Sequence, residues 1–592
     1  MNKLSMKLSP IVLGIICLLF LRCSSNKEEN RILINQEGYF RTATKIITVK
    51  TDKPAQFLLL SADKSKDILK GDVTHISPWK FSGDTYGRID LSSFKEAGEY
   101  IVWIEDIGYS DVINIKDDLG EKSLVSSIEA YYLQRCSSPI EKEYAGVYAR
   151  EEGHPDNKIL IHSSALNPGQ DPKTTISSPK GWYDAGDYNK YIVNSGITTY
   201  TLLLAYKNYV DILKPIELKI PVNNKHLPIY LDNIKWNLDW MFTMQDPSDG
   251  GVYHKLTNAN FDGMVMPAKA QKKPRYVVQK STAAALNFAA VFFYASRVYA
   301  EFDENLAEEY KLAAIKALDW AEKNPSVIYD QEEMNKKYTP KITTGAYDDK
   351  NLSDEFIWAY TEAFLTTLDE TYYTKVDWSK GNYNKVPSWN NVEYLAIYSL
   401  LTLKYDVPKI AQKDLLLLKR MMTKKADVLA STYKSSAMST SMGATNNDFV
   451  WGSNAVAANH AMFLLNAFPI NYNKEYIDTA IGAFDFVMGR NPLDMCFLTG
   501  FGKQHPMHIH HRLSDADKIK EPLPGLLVGG PQNNNNSDDC GYDNEFSATT
   551  YKDVVCSFTT NEIAINWNAP FVYMIAGLES HYGNKIDPLA DK

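Results

Sequence analysis

The chain has 592 residues, too many for one ordinary domain, so two or three folding units are expected. Its 63 Lys and Arg against 72 Asp and Glu leave a net charge of -9 with no strongly basic block. That balance excludes a nucleic-acid partner, whose phosphates would need neutralising, and favours a neutral or weakly polar substrate.

The N-terminus is basic at Lys3 and Lys7, apolar from Ile11 to Leu21, and then reaches Cys23. This order marks a secretory signal, and the apolar run is too short for a permanent membrane span. Ser24 to Glu29 form a polar tether, and the arrangement resembles a bacterial lipoprotein signal of the Bacteroides type, although Arg22 stands where a small residue is usual. The resemblance implies a signal peptide over 1–22, lipidation at Cys23, a tether over 23–30, and an envelope protein anchored in the outer membrane; simple secretion is the alternative.

From Arg31 to about Lys116, short runs such as Lys45-Ile46-Ile47-Thr48-Val49 and Tyr100-Ile101-Val102-Trp103-Ile104 alternate with turns at Gly71-Asp72 and Ser82-Gly83-Asp84. They predict an all-β, immunoglobulin-like sandwich over 31–117. Its Trp79 and Trp103 read as core or interdomain packing, making the domain a brace more than a carbohydrate-binding module. From 118 to 585 long helical patterns take over, among them Ser123 to Cys136, Gly196 to Tyr209, Ser281 to Phe302, Glu304 to Ala321, Ser453 to Phe468 and Glu562 to Glu579. About a dozen helices predict paired helices in a ring, an all-α (α/α)6 barrel whose loops at one end form a groove. Cys540 and Cys556 are close enough in sequence to pair, and the pairing is left open.

Three segments carry chemistry. In Gly181-Trp182-Tyr183-Asp184-Ala185-Gly186-Asp187-Tyr188-Asn189-Lys190-Tyr191, two carboxylates three residues apart can hold one water. Plain capping of the next helix is the competing reading, and the flanking Trp182, Tyr183 and Tyr188, rings suited to stacking on sugars, weigh against it. Glu562 opens an apolar helix with Ile563, Ala564, Ile565 and Trp567, surroundings that raise a carboxyl pKa and suit a general acid. His508, His510, His511 and Arg512 follow Gly500-Phe501-Gly502; lacking acidic or thiol ligands at a familiar spacing, they read as substrate hydrogen-bonding groups and not as a zinc site.

Together these segments resemble glycoside hydrolase family 9, the inverting cellulases, in the branch with an N-terminal immunoglobulin-like domain. The resemblance covers nearly the whole mature chain, including Asn35 to Tyr39, Gly250 to Lys255, Trp451 to Asn454, and Tyr551, Asp553, Phe558, Glu562, Ala564, Asn568 and Ala569; Gln504 is one departure. It implies Asp187 as base, Asp184 as its partner on the water, Glu562 as acid, and His510, Arg512 and Asp553 positioning sugar and acid. Trp451 and Trp567 join the substrate-binding set. The expected substrate is a β-1,4-linked glucan (cellulose-like, mixed-linkage glucan or xyloglucan), cut internally with inversion and with no cofactor needed for the chemistry. Exo action as a β-glucosidase or exo-β-glucosaminidase, and a non-catalytic glycan-binding lipoprotein, are the alternatives. The resemblance also implies a structural calcium at Asp354 and Glu355, for which an ordinary helix N-terminus is the competing reading. Some relatives hold a zinc; this chain keeps Cys136, His154 and His162 but lacks a second nearby cysteine.

Overall fold

The computed structural model describes residues 30–403, 406–533, 537–542 and 545–583. Residues 1–22, expected as a signal peptide, and Cys23 lie outside them.

Ten short strands build the N-terminal sandwich: β1 (Ile32–Leu33), β2 (Tyr39–Phe40), β3 (Ile46–Lys50), β4 (Gln56–Ser61), β5 (Asp67–Asp72), β6 (Thr74–Trp79), β7 (Asp84–Asp90), β8 (Gly98–Ile104), β9 (Gly108–Tyr109) and β10 (Ile113–Lys116). One sheet runs β1-β3-β7-β6 and the other β2-β10-β8-β4-β5, with β9 on the edge of β8. Alternation along the strands decides what is buried: Tyr100, Val102 and Ile104 of β8 enter the sandwich core with Ile47, Val49 and Ile89 of the facing sheet.

The second unit pairs helices around a ring. In chain order these are α1 (Glu121–Leu133), α2 (Ile192–Asn208), α3 (Ile229–Thr243), α4 (Thr282–Tyr299), α5 (Glu304–Lys323), α6 (Ser353–Thr367), α7 (Glu370–Tyr373), α8 (Glu393–Thr402), α9 (Lys409–Ser435), α10 (Ser453–Asn471), α11 (Lys474–Val487) and α12 (Ile565–Tyr582). Even-numbered helices form the inner ring: α2 packs on α4 and α12, α6 on α4 and α8, and α10 on α12. Tyr394 and Tyr398 of α8 close the circle against Phe463 of α10. The two rings differ in composition. Inner α4 is apolar on nearly every side and buries all but one of its residues, whereas outer α5 and α9 bury only a stripe. Ser281 caps α4 through Ala284 N–H, and Asp303 caps α5 through Leu306 N–H.

The structure also shows features the sequence reading did not include. The 27-residue α9 went unremarked, and loops of the barrel add a small sheet, β12-β11-β15-β14-β13, from β11 (Ile159–Ile161), β12 (Thr175–Ile176), β13 (Lys190–Tyr191), β14 (Lys255–Asn258) and β15 (Arg275–Val277). Its strands are too short and too far apart in sequence to leave a hairpin signature. Cys540 and Cys556 form a disulfide.

The two units share a polar and aromatic seam. Trp79, buried at the end of β6, sets its ring edge-on to Phe449 and Phe486 of the barrel. Asn35 donates to Asp485 (2.9 Å), and Gln36 to the Asp494 carbonyl (2.9 Å). Trp79 is thus interdomain packing, as expected, and Trp103 lies partly exposed beside Tyr109.

Candidate active site

The loops feeding the N-terminal ends of the inner helices converge at one end of the ring, joined by Tyr347 to Asp184, Gly186 to Glu562 and Trp451 to Phe558. Residues 184–191 lead into α2, Tyr347 precedes α6, Trp451 precedes α10 and Glu562 precedes α12. Helix N-termini present unpaired N–H groups and positive partial charge, a setting that suits carboxylates.

Backbone bridges tie three distant segments together: Ala185 with Ala564, His510 with Glu562, and Val528 with Ile563. Glu562 therefore does not open a helix. It sits in extended backbone (φ -76°, ψ 162°) three residues before α12, because its chain pairs with the histidine segment instead of coiling. Gly186 N–H donates to its Oε1 (3.3 Å). Burial and then the negative charge of Asp187 push the Glu562 carboxyl well above the usual range, against the opposing pull of Arg512.

Asp184 is fully buried. Asn194, in the first turn of α2, donates to its Oδ1 (2.7 Å) and the Tyr347 hydroxyl to its Oδ2 (2.8 Å). Burial and the charge of Asp187 raise it to about 8, more than its two donors lower it. In Asp187, Oδ2 accepts from the Tyr191 hydroxyl (2.9 Å) and from Asn189, while the buried Oδ1 has no protein partner. Asn189 is itself fixed by Thr257 Oγ1 (3.0 Å) and Asn258 N–H (2.9 Å) of β14.

His510 Nδ1 donates to the Val555 carbonyl (2.6 Å), which leaves Nε2 as the lone-pair nitrogen, and burial lowers its pKa. Asp553 accepts from Met507 N–H (2.8 Å), His508 N–H (2.8 Å) and Asn561 Nδ2 (3.1 Å), so it braces the histidine loop and the residue before Glu562. Arg512 spends Nη1 on the Gly186 carbonyl (2.7 Å) and Nε on the Asp262 carbonyl (2.9 Å), holding the aspartate loop from one side. His511 is buried between Ser514 and Gln134.

The aromatic expectations divide. Trp182, Tyr183 and Tyr188 are buried at 0%, 0% and 2% exposure, which corrects their reading as sugar platforms. Trp182 packs on Tyr131, the Tyr183 hydroxyl meets His154 Nδ1 (2.9 Å), and the Tyr188 hydroxyl donates to the Val265 carbonyl (2.7 Å). They shape the floor on which the aspartates stand. Trp451 is exposed and leans on Phe558, with ring centroids 5.4 Å apart. Trp567 is partly buried beneath Gly452, whose φ of +93° and 2.8 Å clearance to the indole both require glycine. Tyr191, Asn189, Asn194 and Tyr347 were missed as site residues. Tyr191 and Asn189 lie inside the aspartate motif, but Asn194 and Tyr347 reach Asp184 from 10 and 163 positions away.

Beside the cleft, Asp349, Asp354 and Glu355 interact in a buried cluster at the start of α6. Both Glu355 carboxylate oxygens and Asp349 Oδ2 are buried with no donor from outside the carboxylate cluster, and burial raises the pKa of all three groups. Orphaned hard oxygens of this kind fit a calcium ion. Among the described residues, no three His, Cys, Asp or Glu side chains already stand in a metal-holding arrangement. Cys136, His154 and His162 are spent elsewhere: Cys136 Sγ on the His154 carbonyl (3.3 Å), His154 Nδ1 on Tyr183, and His162 on Ser164 and the Pro340 carbonyl.

Comparison with known proteins gives consistent matches along the chain. Residues 121–575 match the family described as Glycosyl hydrolase family 9, and residues 27–108 match Cellulase N-terminal ig-like domain. The chain is 37% identical over 574 residues to a protein of Bacteroides ovatus named Xyloglucan-specific endo-beta-1,4-glucanase BoGH9A, covering 96% of this chain and 97% of that one. It is 30% identical to Endoglucanase D of Acetivibrio thermocellus, covering 93% of this chain and 84% of that one. Among solved structures, Bacteroides ovatus GH9 superposes with a TM-score of 0.88 at 37% identity, covering 93% of this chain and 99% of that one.

Proposed function

The chain belongs to glycosyl hydrolase family 9, and from that premise we propose that it is an endo-β-1,4-glucanase acting by inversion on soluble β-glucan, with xyloglucan the first substrate to test. The observation that carries the reading is the asymmetry of Asp187: Oδ2 is pinned by two donors while buried Oδ1 has none. A water placed there meets the lone pair that would take its proton. Asp184, raised to about 8, holds its proton near neutrality, so the neighbouring carboxylates avoid placing two full charges together. Glu562, kept protonated by burial, delivers its proton to the glycosidic oxygen as the bond to the anomeric carbon breaks. Water attacks from the opposite face, and the product leaves with inverted configuration. His510 Nε2 and the exposed ring of Trp451 are the sugar-facing groups.

Calcium at Asp349, Asp354 and Glu355 is read as structural: it would supply charge compensation beside the Tyr347 loop and takes no part in bond cleavage. Cys23 is read as a lipid-modified residue holding the enzyme on the outer membrane, a reading supported by the leader sequence alone. Replacing Cys23 with Ala and finding the protein still membrane-bound would refute it.

The activity test is digestion of xyloglucan, mixed-linkage glucan, carboxymethylcellulose and chitosan, with product length and anomeric configuration followed in time. Early oligosaccharides of mixed length with α configuration are expected, and Asp187→Ala and Glu562→Gln should abolish them. Only monosaccharide, or β products, or turnover retained in either variant, would overturn the proposal.

A further inference from the structure

Beneath the aspartate loop lies a buried ionic cluster to which the reaction scheme gives no role. Asp156 receives Lys190 Nζ at 2.9 Å, and Arg275 Nη1 reaches both its oxygens at 3.1 Å. The three side chains are 3% exposed or less. Cys136 Sγ completes the shell around Asp156 Oδ2 at 3.4 Å. Lys190 also donates to the carbonyls of Lys180 (2.7 Å) and Ser178 (3.2 Å). The remaining arm of Arg275 is the informative one: Nη2 donates to the Tyr188 carbonyl at 2.6 Å.

That contact has a counterpart. Arg512 Nη1 takes the Gly186 carbonyl, so the residues on either side of Asp187 each give their carbonyl to a buried guanidinium. Arg275 stands on β15, whose partner strand β14 pairs Asn258 with Arg275 and fixes the Asn189 side chain that holds Asp187 Oδ2. Burying two cations around one carboxylate is costly, and apolar residues of similar volume commonly do as well for stability. A guanidinium offers what they cannot, a rigid fork that binds a carboxylate with one arm and a carbonyl with the other.

We propose that Arg275, with Asp156 as its counter-charge, is a positioning residue for the base. It fixes the carbonyl of Tyr188 and thereby aims Asp187 Oδ1 at the attacking water, and it governs turnover without touching sugar. This rests on the reading of Asp187 as base. A wild-type enzyme that hydrolyses no glucan would defeat that reading, whereas an active wild type with an unimpaired Arg275 variant would defeat this one alone.

The test is steady-state hydrolysis of xyloglucan oligosaccharide and of an aryl β-cellobioside with an activated leaving group, by Arg275→Lys and Asp156→Asn, alongside thermal unfolding of each. Lysine keeps the charge but cannot hold Asp156 and the Tyr188 carbonyl in the same fork. For Arg275→Lys, kcat should fall on the order of ten- to a hundredfold on both substrates with KM unchanged, the scale of a small misplacement of a reacting group. Sodium azide, a nucleophile that needs no base, should restore part of the lost turnover. Asp156→Asn, isosteric, should show the same split with a smaller loss and covers the case in which Arg275→Lys does not fold. Wild-type kcat in a folded variant, a rise in KM matching the loss of kcat, or no response to azide would each overturn the proposal.

Discussion

Gly186 lies between the proposed base and the proposed acid, and replacing it with alanine should uncouple them. Its N–H donates to Glu562 and its carbonyl receives both the main-chain N–H and the side chain of Arg512. Its φ lies outside the left-handed region, so alanine is no strain on the backbone itself. The obstacle is space: a Cβ would stand 2.2 Å from the His510 carbonyl oxygen and 3.1 Å from Glu562 Oε1, where 3.0 Å is the practical minimum. The loop carrying Asp187 and the His510 segment, which is paired with Glu562, must separate by about 0.8 Å, because the closest contact is with a backbone carbonyl that cannot rotate away. Overpacking of this kind costs about 1–3 kcal/mol of stability. A displacement near 1 Å between reacting groups costs on the order of a hundredfold in rate. Gly186→Ala should therefore remain folded, with a lowered thermal midpoint, and lose about two orders of magnitude in kcat on xyloglucan with little change in KM. The assay is reducing-sugar release under saturating substrate, alongside thermal unfolding. A kcat within about threefold of wild type would show that the two segments are not coupled through this contact.

Other expectations follow from the seam between the domains and from the loops around the cleft. Burial raises both Glu37 and Glu579 to about 7, from 4.5, near the junction of sandwich and barrel. The folded state thus holds protons that the unfolded chain has released, so this stability is present below about pH 4.5 and is lost as pH rises through 7. The thermal midpoint should fall between about pH 5 and pH 8, and Glu37→Gln should flatten that fall; an unchanged slope would refute the assignment. The Cys540–Cys556 bridge closes a separation of 16 residues next to Val555, the acceptor of His510, so Cys540→Ser or reduction should cost about 3 kcal/mol and lower turnover. Equal activity before and after reduction would separate the bridge from the site. Calcium at about a hundred times its dissociation constant should stabilise the fold by about 2.7 kcal/mol, and Glu355→Gln should abolish the shift. A midpoint indifferent to both calcium and chelator would refute the calcium reading.

The sequence was most informative where function is local. Asp184 and Asp187 share a motif with glycine and aromatics, and Glu562 stands in an apolar stretch, so they could be singled out as candidates before any fold. The sandwich and the ring of helices were equally legible, because alternation marks strands and the inner helices are apolar all round. Apart from α9, Asn189 and Tyr191, what escaped depends on contacts between remote residues. Tyr347 reaches Asp184 across 163 positions, and Glu562 is extended because His510 pairs with it, although its neighbours favour a helix. Trp182, Tyr183 and Tyr188 misled because an aromatic beside a carboxylate reads the same whether its ring lines a groove or lies under one. Only packing against Tyr131 and His154 decides the matter.

The bridge between Ala185 and Ala564 joins residues 379 positions apart, and Glu562 lies on the late side of it. During synthesis the base loop leaves the ribosome long before its partner, and closing so distant a contact is slow compared with forming local helices. A nascent chain halted anywhere before Glu562 carries the proposed water-binding half-site without the proposed proton donor. On the proposed roles, hydrolytic competence arrives only with α12, whose docking against α2 completes the ring and brings Glu562 into place in the same event.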